Sequence, residues 1–109
     1  MNYLPITKHI DNRRTLIEWI SDFPIRTCKV LIIHSDLEIG NHYHKEKEEI
    51  FYLLKGKGTL TVDGEEKPFK ENDVIHIPKN TKHTFKLKKG SILLGAGTSP
   101  FNQNDDYED

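Results

Sequence analysis

The sequence holds one cysteine, Cys28, in 109 residues, so no disulfide can form within the chain. A lone thiol suits a reducing compartment, and a cytoplasmic protein is expected. Charge of one sign is also lacking. Sixteen Lys and Arg against 17 Asp and Glu leave a net charge of −1, which removes the electrostatic case for nucleic acid or an acidic membrane surface. No apolar run approaches the roughly 20 residues of a membrane span. The opening "MNYLPITKHIDNRR" has no basic start followed by an apolar core, so no signal peptide is expected. Sustained 3.6-residue spacing is almost absent, which argues against a helical bundle. Internal repeats and low-complexity linkers are missing too. The length then suits one compact domain, residues 1–109.

From Cys28 onward the chain reads as short strands divided by turn signals. "CKVLIIH", "IFYLL", "TLTV", "KPF", "VIHI", "HTFKL" and "SILLGA" are separated by "SD", "KGKG", "DGEE", "ND", "KNTK" and "KKG". Asp63-Gly64 between two strand-like runs is a strong hairpin signal. Short strands at regular intervals predict an all-β antiparallel barrel or sandwich. Arg13 to Phe23, "RRTLIEWISDF", reads as either strand or short helix. The acidic tail 100–109 is expected to be loosely held.

Chemistry concentrates in "GNHYHKEKEEIFYLLKG". In extended chain, residues i and i+2 face the same way, roughly 7 Å apart. His42 and His44 can therefore aim both imidazoles at one point. Glu49 opens the next strand, where its carboxylate can reach back, and "NDVIHIPKNTKHTF" supplies His83. Three imidazoles and a carboxylate suit a divalent transition metal (Fe, Mn, Ni, Cu or Zn) with positions left for water or substrate.

These residues also carry a family resemblance. His42-Tyr-His44, four residues, Glu49, six residues and Gly56 match the His-x-His-x4-Glu-x6-Gly part of the first cupin motif. Gly40 departs from it, standing one residue before His42 rather than five. Asn72, Pro78, Asn80, His83 and Leu87 follow the spacing of the second motif, with Asn in place of both glycines and Leu in place of the final Asn. Asn is the non-glycine residue that best tolerates left-handed backbone angles, so both turns can survive. Residues 28–95 thus resemble a small single-domain cupin, of the type found in sugar-phosphate isomerases and in sugar-nucleotide and polysaccharide synthesis. The resemblance implies a jelly-roll β-barrel and carries the family's metal ligands onto His42, His44, Glu49 and His83.

Glu48 competes with Glu49 as ligand, and the spacing to Gly56 favours Glu49. In the lysine- and glutamate-rich run 45–48, alternate residues are expected to face water. His76, in "VIHIP", is the one proton-transfer candidate, against a structural role. Phe51 and Phe85 are candidates for an apolar pocket wall. Cys28 is expected to be a small buried hydrophobe. Arg26, Lys29 and the strand-borne lysines could bind a sugar phosphate, but the lysines are expected to face solvent. The strand "EIFYLL" is apolar on both faces after Glu49, which predicts a second layer outside the barrel. A partner subunit would supply it, giving a homodimer with Trp19 or Tyr52 buried at the interface and residues 1–27 covering or exchanging there. The expected function is metal-dependent isomerisation or dioxygenation of a small polar metabolite such as a sugar or keto-acid. The alternatives are a non-catalytic binding module and a metal-free sugar-nucleotide isomerase or epimerase.

Overall fold

A computed structural model describes residues 2–19, 24–99, 104 and 107. Among the described residues eleven strands run in chain order: β1 (Asn2–Tyr3), β2 (Thr7–Ile10), β3 (Thr15–Glu18), β4 (Thr27–Ile32), β5 (Leu37–His42), β6 (Glu49–Lys55), β7 (Lys57–Val62), β8 (Glu65–Lys70), β9 (Val74–Ile77), β10 (His83–Leu87) and β11 (Ile92–Gly97). They form a five-stranded sheet in the order β1-β9-β6-β11-β4, a four-stranded sheet in the order β5-β10-β7-β8, and a β2-β3 ribbon. The pairings are antiparallel. This is the all-β architecture that the strand spacing predicts, consistent with a jelly-roll barrel. Among the described residues no helix is long and apolar enough to cross a membrane.

The turns follow local chemistry. Asp63 (φ 49°) and Gly64 (φ 83°) join β7 to β8. Positive φ at both central residues is what a type I′ hairpin requires. Asn72 and Asn80 adopt φ of 73° and 60°, so asparagine performs the left-handed turns for which the family pattern uses glycine. Asn72 is fixed by its amide to the Leu53 carbonyl (2.8 Å) and by the Tyr52 hydroxyl, which donates to its Oδ1 (2.6 Å).

The main core lies between the two sheets. Phe51 and Leu53 of β6, Ile75 and Ile77 of β9 and Leu93 of β11 pack against Leu60, Phe69 and Phe85 from the other sheet. The Phe51 and Phe85 rings meet edge to face at 4.8 Å. The other face of β6 is covered as well, but by its own chain. Ile50, Tyr52 and Val74 are buried under Leu4, Ile6, Ile17 and Trp19, and the Trp19 indole stacks on Tyr52 at 5.0 Å. The second layer outside the barrel is present as expected, and in the single chain the N-terminal residues form it. Of the ambiguous segment 13–23, Thr15–Glu18 is strand, and residues 20–23 lie outside those described. In the tail, Tyr107 forms an antiparallel bridge with Tyr43, while the rest of 100–109 except Asn104 lies outside the described residues.

Cys28 is exposed, which corrects its expected burial. It belongs to β4, the outer strand of its sheet, where Val30 (60% exposed) and Ile32 (59%) lie in alternate positions with it. Apolar identity alone does not say which face of such a strand is covered.

If the N-terminal layer holds Tyr52 in place, Trp19→Ala should destabilise the protein by about 2 kcal/mol. That is less than the roughly 3–5 kcal/mol of a fully buried tryptophan, because Trp19 is only half-buried. A urea midpoint equal to wild type would show that this layer contributes nothing.

Candidate metal centre

The site sits at one end of the space between the sheets. His42 closes β5 and lies directly across from His83, the first residue of β10. Their rings meet edge to face with centroids 4.7 Å apart. Gly40 permits this approach. Its φ is 108°, and a Cβ there would fall 2.7 Å from the His83 carbonyl oxygen. The ladder shifts register at His83/Thr84, a bulge that turns the first residue of β10. His44 lies beyond the end of β5 and is held by the second motif: the Asn80 amide donates to its carbonyl (2.6 Å). One left-handed asparagine turn thus locks the loop that carries a site histidine.

One nitrogen from each of His42, His44 and His83 lies within 4.8 Å of the others. Bonds of about 2.1 Å to a common ion would put donors roughly 3–4 Å apart, so a small inward adjustment completes the set. His83 Nδ1 is 3.0 Å from the Thr81 carbonyl. That contact places the ring proton on Nδ1 and leaves the Nε2 lone pair free to ligate, as metal-binding imidazoles require. Burial, the largest influence, lowers the His83 pKa to about 4, and the Thr81 bond only partly opposes it. The ring is neutral at pH 7. The donor chemistry therefore fits a divalent transition ion.

Glu49, rather than Glu48, faces this cavity. Its Oε1 is 3.3 Å from His44 Nε2 and 4.0 Å from His83 Nε2. Its Oε2 is 3.4 Å from both the Lys29 and Lys47 ammonium groups. Burial, the largest influence, pushes the Glu49 carboxyl upward. The His44 hydrogen bond and the two lysines outweigh it and bring the pKa to about 2. The carboxylate is ionised but already held, so it is a poor proton acceptor.

His76 is placed elsewhere. It pairs across the ladder with Ile50, whose side chain belongs to the outer cluster, and its Nε2 lies 3.9 Å from Glu48. His76 does not join the three clustered histidines. In the charged run 45–48, Lys45 and Glu46 are exposed and Lys47 turns inward. It is 5% exposed, not solvated. Parity was the available signal, since Lys47 is two residues before Glu49 and four before Phe51. Lys29 is exposed, as expected, with its ammonium 3.4 Å from Glu49 and 5.5 Å from the Phe51 ring centre.

The cupin-domain family model matches residues 30–93, more than half of the chain and all four residues named for the site. The chain is a cupin. Its relatives include quercetin 2,3-dioxygenase of Bacillus subtilis, 41% identical over 77 residues, covering 64% of this chain and 23% of that protein. An uncharacterized protein of Aquifex aeolicus is 38% identical over 65 residues, 59% of this chain and 54% of the relative. The cupin thus spans about a quarter to a half of the length of these relatives. Among solved structures, a 3,4-ketoisomerase from Helicobacter canadensis superposes with a TM-score of 0.86 at 23% identity, covering 99% of this chain and 90% of that one. The TDP-quinovose 3,4-ketoisomerase WlaRB of Campylobacter jejuni gives 0.90 at 18% identity, with 99% and 92% coverage. At these identities the likeness shows a shared fold.

A pH dependence follows for the metal-free protein. His83 titrates near 6.5 when unfolded and near 4 when folded. A depressed histidine contributes stability that is fully present above pH 6.5 and is lost as the pH falls toward 4. The fall from 6.5 to about 4 corresponds to roughly 3 kcal/mol. Urea midpoints at pH 7.5 and 4.5 should therefore differ less in His83→Gln than in wild type. Equal differences would remove His83 from the acid transition.

Proposed function

We propose that this cupin binds a divalent transition metal through His42, His44, Glu49 and His83 and acts as an enzyme on a small polar metabolite. The observation that supports this most is the convergence of three buried or half-buried imidazoles, one of them held neutral with its Nε2 directed inward. When bound, the ion would supply Lewis-acid polarisation of a carbonyl or hydroxyl oxygen or, if iron, oxygen chemistry. The chain's own residues would do the rest. The Thr81 carbonyl orients His83, the Asn80 turn holds His44, and Phe51 and Phe85 keep one wall of the cavity dry. Glu49, whose Oε1 lies 3.3 Å from His44 Nε2, would be the oxygen ligand.

Protein purified without a metal-affinity tag should carry near-stoichiometric metal by elemental analysis. His44→Ala should lose it while Glu48→Ala keeps it. Metal-free wild-type protein that also takes up none on dialysis against Mn, Fe, Ni, Cu or Zn would overturn the reading.

A second reading is favoured by the extent of the fold match, 99% of the chain, to ketoisomerases whose solved relatives include a complex with TDP. There the same histidines would serve as acids and bases on a sugar nucleotide without metal. Calorimetry with TDP separates the two. Stoichiometric binding by metal-free protein supports the second reading, and no heat supports the first.

The homodimer is retained as part of the proposal, with a different basis. Val30 and Ile32 project from the outer strand β4 beside the exposed thiol of Cys28, and a second copy would cover them. A free surface thiol also suits a reducing, cytoplasmic setting. Light scattering at micromolar concentration should give twice 12.7 kDa, falling to 12.7 kDa in Val30→Glu. A wild-type mass of 12.7 kDa would reject the dimer.

A further inference from the structure

His42 and His44 share a face only while the residue between them stays extended. β5 ends at His42, so the ladder with β10 does not impose that geometry on Tyr43. Tyr107, distant in sequence, supplies it. The Tyr43 amide donates to the Tyr107 carbonyl (2.8 Å), and the Tyr107 amide donates to the Tyr43 carbonyl (3.0 Å). The two residues form an antiparallel bridge outside the strands. A single residue thus gives Tyr43 the paired hydrogen bonds that a neighbouring strand would give.

The side chains follow the same alternation. His42 and His44 line the cavity, with ring centres 4.8 Å apart. Tyr43 and Lys45 meet Tyr107 instead. The Tyr43 and Tyr107 rings stack at 5.3 Å and 21°, and the Lys45 ammonium lies 4.4 Å from the centre of the Tyr107 ring. Each residue from 42 to 44 is therefore fixed by a different element. His42 is held across from His83, Tyr43 by Tyr107, and His44 by the Asn80 amide on its carbonyl. Without Tyr107, the backbone of Tyr43 could turn and swing one imidazole away from the other.

We propose that Tyr107 is a positioning residue for the histidine centre, holding Tyr43 extended so that His42 and His44 aim at one point. Its consequence for ligation rests on reading that centre as a metal site, whereas the geometry it imposes does not. Tyr107 acts through Tyr43. Groups that orient metal ligands typically change affinity by about 10- to 100-fold when they are removed. A tyrosine that only covered the loop would change stability and leave the imidazoles in place.

The test compares full-length wild type with Tyr107→Ala, which removes the stacked ring, Tyr107→Pro, which removes the amide donor, and Tyr107→Phe, which keeps both. In metal-free protein, amide exchange at Tyr43 and the imidazole carbon-bound proton signals of His42 and His44 are followed by NMR. In the Ala and Pro variants Tyr43 should exchange faster and both imidazole signals should move, while those of His9 and His76 stay in place. The Phe variant should match wild type. Zinc titration should then show at least about 10-fold weaker binding in the Ala and Pro variants than in wild type and the Phe variant. Tyr107 belongs to neither hydrophobic cluster, so these variants should fold. Unmoved His42 and His44 signals in the Ala and Pro variants would overturn the proposal. So would a Phe variant that behaves like Ala, changes that extend equally to His9 and His76, or unaltered zinc affinity in the Ala and Pro variants. A wild type that binds no zinc would count against the metal reading alone, because the metal-free signals still decide what Tyr107 positions.

Discussion

The buried carboxylate of Glu49 is the constraint around which the site is organised. It stands at the first position of β6, in the five-stranded sheet, and is the point where that sheet meets the histidines carried by β5, β10 and the loop after β5. An ionised group 3% exposed must find compensation or protonate. It finds it from opposite sides, with His44 and His83 facing one oxygen and Lys29 and Lys47 facing the other. Removing the carboxylate would leave two ammonium groups crowded together, so its substitution tests stability as much as ligation. Removing Lys47 instead leaves Lys29 on the same carboxylate oxygen.

Much of the fold was legible because its signals are local. The Asp63-Gly64 turn, the strands it joins and the two left-handed asparagines are decided by backbone preferences of single residues, and they occur where the sequence placed them. The spacing from His42 to Gly56 was equally readable. Glu49, the first residue of β6, turns inward, while Glu48 just before the strand turns toward His76. The two-residue spacing of His42 and His44 brought their rings together although the strand ends at His42.

The failures share a cause: each depended on what lies across a face, which no local pattern encodes. Ile50 and Tyr52 announced an outer layer but could not say whose residues would form it. Cys28 has the character of a core residue, and only the position of β4 at the end of its sheet leaves it exposed. Lys47 stands in a charged run that reads as surface, and its inward turn becomes intelligible only when Glu49 is seen to be buried. Alternation did set His76 opposite Ile75 and Ile77. What it could not show is that those isoleucines, rather than His76, face the space between the sheets.

β6 links these features mechanically. Its odd-numbered residues Glu49, Phe51 and Leu53 face the cavity and the main core, while Ile50 and Tyr52 are gripped by the N-terminal layer. Closely packed interiors transmit displacement rather than absorb it. A shift of Trp19 against Tyr52 would therefore move the strand whose first residue is Glu49, although Trp19 makes no part of the histidine cavity. Trp19 also lines an apolar hollow on the outer face, shared with Cys28, Val30 and Leu94. A subunit docking on β4 would press on that hollow and so on the layer that positions β6. Under the proposed dimer, assembly and site geometry would be coupled through one strand, in a domain too small to insulate them from each other.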